Sequence, residues 1–337
     1  MTPISLVEFL GDPRSYPERP DSVRLVQSHI SWVFICDHFV YKLKKPVDFG
    51  FLDFSTRDKR RFYTQEEFRL NSRFSPEVYI GVLPISRRGR SFVIGDDTDI
   101  VEYVLLMKRL SDDHMLSHLF ETGRARPEHM DRLGRHLATV YGAIRSDDHA
   151  RSFGALDTIG GNIRENFDQT RAYRGGPISE AAFDAIEAWS TAFMADNQTL
   201  FEARIADGHI KDCHGDLHLQ HICMDEDAIS VFDCIEFNER FRFGDVASDI
   251  AFLAMDCDFN DRPELGDAFV QAFVEASGDL DLLRLLRFYK VYRAYVRAKV
   301  TSFLLNDPGL DDDGRRKAHD RAARYYDLAH RYVLLND

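Results

Sequence analysis

At 337 residues, with 44% hydrophobic and 29% charged residues, the chain can bury one large or two medium cores and carries no compositional mark of disorder. Its 43 Lys and Arg against 56 Asp and Glu leave a formal charge of −13, which argues against a general binder of nucleic acid or of an anionic membrane. Five cysteines (Cys36, Cys213, Cys223, Cys234 and Cys257) without CxxC spacing signal neither a disulfide framework nor a zinc site. With no basic-then-apolar leader and no apolar run of about 18 residues, a cytoplasmic protein is expected.

Residues 1–20 read as an N-terminal extension: a short helix carrying Leu6, Val7, Phe9 and Leu10, then a proline-rich linker. Strands follow over 23–47 (VRLVQS, WVFICD, FVYKLKKPV), with a hairpin turn at Asp37-His38 and Pro46 ending the third. Lys42 and Lys44, two apart, project from one face of that strand. Residues 58–74 read as a helix, with Phe62, Glu66 or Glu67, Leu70 and Phe74 at helical spacing. Two further strands (VYIGVLPIS, SFVIG) lead to the almost continuously apolar run 101–107, the pattern of a buried strand. From Ser111 the chain turns helical: Met130, Leu133, Leu137, Tyr141 and Ile144 mark one apolar face, and Phe183, Ile186, Trp189 and Phe193 another. Between them, 147–176 is polar and contains Gly160-Gly161, the pattern of a substrate-side loop or a plain connection.

The chemistry concentrates in residues 211–236, KDCHGDLHLQHICMDEDAISVFDCIE. Asp216 follows a polar turn and Asp233 closes the run 228–232. The apolar pair Ile222-Cys223 reads as a strand entering the turn 225–227, so a hairpin with an acid on either side would bring both carboxylates to one end of a small sheet. Such a pair suits phosphoryl transfer, in which one carboxylate deprotonates an attacking hydroxyl and the other holds a magnesium ion. Asp249 lies early on the next helix among apolar neighbours, where a buried carboxylate needs a partner, and Asp245 reads as that helix's cap. Residues 282–305 form an amphipathic helix whose Arg284, Arg287, Lys290, Arg293 and Arg297 recur at helical spacing. That basic stripe reads as a docking face for an anion or as a solvated face paired with acidic neighbours. A last helix runs over about 315–335.

HGD, then a five-residue step, then a hydrophobic strand ending in Asp resembles the aminoglycoside phosphotransferase-like kinases, in particular their functionally undefined bacterial branch. Some members of that branch carry an added P-loop ATPase domain, and no GxxxxGK[ST] occurs here. The resemblance implies an α+β, protein-kinase-like fold with a β-rich nucleotide-binding lobe (21–110) and a mostly helical catalytic lobe (111–337). It implies ATP and Mg2+, with Mn2+ an alternative, and a small-molecule hydroxyl as acceptor. Asp216 becomes the catalytic base and Asp233 a metal ligand. Lys42, matching VYK of the family's third strand, with Lys44 as second choice, contacts phosphates and pairs with Glu67. His214 and Asp249 brace the catalytic loop, and 107–109 (Met107, Lys108, Arg109) meet adenine through backbone groups. Two positions depart from the family. His221 stands where the family usually carries an asparagine metal ligand, and imidazole suits softer metals than magnesium. The turn Ser28-His29-Ile30-Ser31 lacks the glycines that cradle phosphates, leaving Ser28, His29 and Ser31 as side-chain donors. The expected function is transfer of the γ-phosphoryl group of ATP to an aminoglycoside, sugar or other metabolite. A protein kinase or self-phosphorylating regulator, and a catalytically weak nucleotide sensor, are the alternatives.

Overall fold

A computed structural model describes residues 5–226 and 228–335. Asp227, read above as part of a turn, and the first four residues of the N-terminal extension lie outside the described residues. In chain order the elements are α1 (Leu6–Leu10), β1 (Arg24–Gln27), β2 (Ser31–Ile35), β3 (Phe39–Lys44), α2 (Arg57–Asn71), β4 (Tyr79–Arg88), β5 (Ser91–Ile94) and β6 (Ile100–Lys108). There follow α3 (Leu116–Glu121), α4 (Pro127–Ala143), α5 (Asp148–Ser152), α6 (Leu156–Thr170), α7 (Glu180–Asp196), α8 (Gln198–Ala206), β7 (Ile210–Asp212), β8 (Ile222–Met224) and β9 (Ile229–Val231). The chain ends with α9 (Glu239–Arg242), β10 (Phe243–Asp245), α10 (Val246–Phe259), α11 (Pro263–Ser277), α12 (Leu282–Phe303) and α13 (Asp312–Leu334). The class is α+β: an antiparallel sheet followed by a largely helical part. Among the described residues no helix is long and apolar enough to cross a membrane.

The chain forms two compact units, 1–119 with 220–239, and 120–219 with 240–337. The stretch 220–239, read above with the helical part, thus groups with the β-rich one. In the first unit a six-stranded antiparallel sheet has the order β1-β2-β3-β6-β4-β5. Period-two alternation explains its two faces. Tyr41 and Leu43 of β3 join Phe34, Ile85 and Val104 in one core, sealed by Phe9 and Leu10 of α1. Lys42 and Lys44 point the other way. On another patch Val78, Tyr79 and Leu105 pack with Phe68 of α2 and with Phe232. Helix α2 starts at Thr56, whose side chain caps the Lys59 amide, and buries Thr64, Glu67, Leu70 and Asn71, a spacing of three and four that turns one stripe inward.

In the second unit α10 is buried almost throughout, with α11 and α12 packed on it. Helix α4 lies close against α11 because Gly134 has no side chain: a Cβ there would stand 2.6 Å from the Phe269 carbonyl oxygen.

One expectation is corrected. Residues 147–176 are mainly helical, since Ile163 and Phe167 of α6 recur at helical spacing toward the interior and their burial outweighs the two glycines at 160 and 161. The expected hairpin is present: β8 pairs antiparallel with β9, with Asp216 ahead of it in sequence and Asp233 after it, while Asp216 itself follows β7, which pairs with β10. A short 3-10 turn at Leu219–His221 intervenes before β8.

Candidate active site

In the first unit, β3 and α2 present a buried ladder of charges. Lys42 Nζ lies 2.6 Å from Asp233 Oδ1 and 2.7 Å from Glu67 Oε1. Lys44 Nζ lies 2.6 Å from Glu67 Oε2 and also bonds the Glu236 carboxylate. Of the two glutamates on α2, Glu67 is on the inward stripe, while Glu66 faces Arg69 at 2.7 Å. Burial by itself would raise the Glu67 carboxyl, but the Lys42 and Lys44 ammonium groups bring it below the ordinary carboxylate range. Burial likewise opposes the charge on Lys42, and Asp233, Glu67 and Glu236 overcome it, so Lys42 stays protonated. Glu236 goes the other way: burial, with Glu67 nearby, lifts it above the usual range despite Lys44.

Asp233 sits in the left-handed backbone region at φ 63°, a conformation that costs a non-glycine residue about 1–3 kcal/mol unless its surroundings enforce it. Two bonds do so: its amide donates to the Tyr79 hydroxyl at 3.1 Å, and the Cys234 amide donates to Asn71 Oδ1 at 2.8 Å. The result is a carboxylate whose side chain remains 42% exposed beside a buried lysine. His221, just before β8, has Nε2 3.5 Å from Asp233 Oδ2. Asp233 thus offers a reachable oxygen donor of the kind a hard divalent cation takes, and His221 a nitrogen donor of the kind it takes less readily.

The β1–β2 turn bonds three of its amides internally. The Ser28 amide donates to the Ser31 carbonyl, and the Ile30 and Ser31 amides donate to Ser28 Oγ. Ser31 is fully buried and His29 exposed. At the end of β6, where Met107 pairs with Val40 and Tyr79, the Lys108 amide donates to the Val78 carbonyl and the Arg109 amide to the His38 carbonyl. The backbone N–H groups of Lys108 and Arg109, expected above to meet adenine, are thus engaged within the protein.

In the second unit the loop after β7 is bound from several sides. Asp249, with no exposed surface, accepts hydrogen bonds from the His214 amide at 2.8 Å, the Gly215 amide at 3.2 Å, the Tyr141 hydroxyl at 2.6 Å and Arg293 Nη2 at 3.1 Å. Arg293 also donates to the Gly215 carbonyl at 2.9 Å and to Ser248 Oγ at 3.0 Å. The buried His214 ring accepts the Asp216 amide at 3.3 Å through Nδ1. Gly215 takes φ 85°, a conformation that favours glycine. Asp216 lies 3.4 Å from His218 Nε2. The HGD loop is therefore a fixed mount for one carboxylate.

The basic stripe on α12 turns inward: besides Arg293, Lys290 pairs with Asp258 at 2.9 Å and Arg287 donates to backbone carbonyls near the end of α13. Only Arg284, at the outer end, is largely exposed. Charge periodicity could not show this, because the partners Asp258 and Asp249 come from α10. Sequence reading also passed over Glu236, Tyr141 and Asn71. Of these only Glu236 carried a signal, an acid three residues past Asp233.

The sequence matches the phosphotransferase enzyme family over residues 82–288, and the chain belongs to that family. It is 30% identical over 274 residues to uncharacterized proteins of Mycobacterium tuberculosis and Mycobacterium bovis; the match covers 81% of this chain and 53% of theirs. The chain thus spans about half the length of the curated relatives it matches. Among solved structures, the fold resembles a choline/ethanolamine kinase family protein from Mesorhizobium loti (TM-score 0.54, 12% identity, 97% of this chain and 98% of that one). It also resembles a choline kinase from Cryptosporidium parvum (0.55, 9%, 96% and 94%) and a microcompartment-associated aminopropanol kinase (0.54, 14%, 98% of both). At these identities the likeness is one of fold.

Proposed function

We propose that the protein is an ATP-dependent phosphotransferase that moves the γ-phosphoryl group to a hydroxyl of a small molecule. The observation that carries this reading is the Lys42 ammonium, paired with Glu67 on α2 and with the strained, reachable Asp233. A buried lysine kept charged by a helix glutamate and set beside an accessible carboxylate suits the binding of nucleotide phosphates and a divalent ion. Asp233, with His221 beside it, would hold Mg2+, which when bound neutralises charge on the transferring phosphate oxygens. Lys42 leaves Asp233 to contact the phosphates. Asp216 accepts the proton of the acceptor hydroxyl, the bond from that oxygen to the γ-phosphorus forms as the bond to the β-phosphate oxygen breaks, and ADP leaves. His214, Gly215 and Asp249 hold Asp216 still, so that little reorganisation is needed during transfer.

The test is acceptor-stimulated ADP release with Mg2+ across a panel of amino alcohols, sugars and aminoglycosides. Asp216→Asn is expected to lower kcat by about 10²–10⁴-fold, the usual worth of a general base, and to leave ATP affinity within a few-fold. Turnover unchanged in that variant would overturn the assignment of the base. One observation favours a second reading, a weakly active nucleotide sensor: the β1–β2 turn directs its amides inward instead of outward to a phosphate. That reading predicts ATP binding with no acceptor-dependent turnover.

A further inference from the structure

Phosphate contact needs one lysine, and β3 supplies two on the same face. They are not equivalent. The Lys44 side chain is 2% exposed, its Nζ bonds both Glu67 Oε2 and Glu236, and it stands 4.7 Å from the centre of the Phe54 ring, so every approach to it is closed. Lys42 is more open at 13%, and its aligned hydrogen bond goes to Asp233. It also pairs with Glu67 Oε1 at 2.7 Å. Glu67 thus bridges both lysines, of which Lys44 is the one closed off from solvent.

We propose that Lys44 and Glu236 are positioning residues for the nucleotide site. The inference rests on the kinase reading. When Lys42 turns from Asp233 to a phosphate, Glu67 would be left buried with a weakened cation partner, a costly state. Lys44 prevents this by keeping one ammonium on Glu67 throughout. Glu236 does the same for the chain beyond Asp233: it ties that segment to β3 through Lys44, while Asn71 ties Cys234 to α2. Glu67 and the backbone of Asp233 stay in place, and Lys42 alone exchanges partners. The second Lys–Glu pair acts through Glu67 and Asp233 and touches no substrate.

The double variant Lys44→Met/Glu236→Leu tests this, because it removes one charge of each sign at similar volume and leaves Lys42 to balance Glu67. Affinity is read with a fluorescent ATP analogue and Mg2+, alongside KM for ATP and thermal melting. The expected result is a melting temperature within a few degrees of wild type, with Kd and KM for ATP raised at least tenfold. Unchanged Kd and KM would overturn the proposal and leave the pair a purely structural one. Failure of the wild-type protein to bind nucleotide would instead overturn the kinase reading itself. Should the double variant not fold, Glu236→Gln, which keeps the volume and a polar partner for Lys44, is read in the same assays: raised Kd and KM for ATP at a near-unchanged melting temperature support the proposal, and unchanged Kd and KM overturn it.

Discussion

Asp249 shows how much one buried side chain organises. Its two oxygens receive two loop amides, a tyrosine hydroxyl and a guanidinium, so removing the cation leaves a charge with no route to water. Arg293→Met is expected to cost about 3–5 kcal/mol of stability, measured by urea unfolding. Arg293→Lys should recover little of it, because one ammonium cannot bond Ser248, Gly215 and Asp249 together. A second buried network gives a pH signature. Burial would raise the Asp279 carboxyl, but His209 and Arg204 pull it down to about 2 from 3.8. A carboxylate with a depressed folded pKa stabilises above its unfolded value and loses that contribution as pH falls, here worth about 2 kcal/mol. Asp279→Asn should therefore be less stable than wild type at about pH 5, by a gap that narrows as pH falls from about 4 toward 2; a gap that widens over that range would contradict the assignment. Asp249 was legible in the sequence as a carboxylate needing partners. Arg293 and Tyr141 were not, because a salt bridge between α10 and α12 leaves no trace in either helix's own pattern.

At the level of elements, local pattern carried much of the fold. Lys42 and Lys44 share a face because strands have period two, and Glu67 rather than Glu66 faces inward because Thr64, Leu70 and Asn71 set the stripe on α2. Patterns failed where packing overrode composition. Gly160 and Gly161 suggested a loop and lie within α6, while the arginines of α12 suggested a surface and are mostly turned inward. The glycine that packing does require is Gly134. Gly134→Ala would press a methyl group onto the backbone of α11, at Phe269 and Phe273, and is expected to destabilise the protein by about 1–3 kcal/mol although alanine is the better helix former. A melting temperature equal to or above that of wild type would show that α4 and α11 can separate at no cost.

At the level of the molecule, an antiparallel sheet carrying one helix and a mainly helical remainder were both readable from where strand pattern gives way to helix pattern after residue 110. The grouping of 220–239 with the sheet was not, since it depends on contacts such as Ser75 Oγ with the Val231 carbonyl, made between residues far apart in sequence. Membership of the phosphotransferase family and the fixed mounts of Asp216 and Asp233 support the proposal at the centre of the account, that this chain transfers phosphate to a small molecule with Asp216 as base. The most direct test follows γ-labelled phosphate from ATP, with Mg2+ or Mn2+, into a small-molecule cell extract, with Asp216→Asn as control. The account predicts label in a small molecule that disappears in the variant. Label found only on protein, or no transfer from ATP that is demonstrably bound, would contradict it.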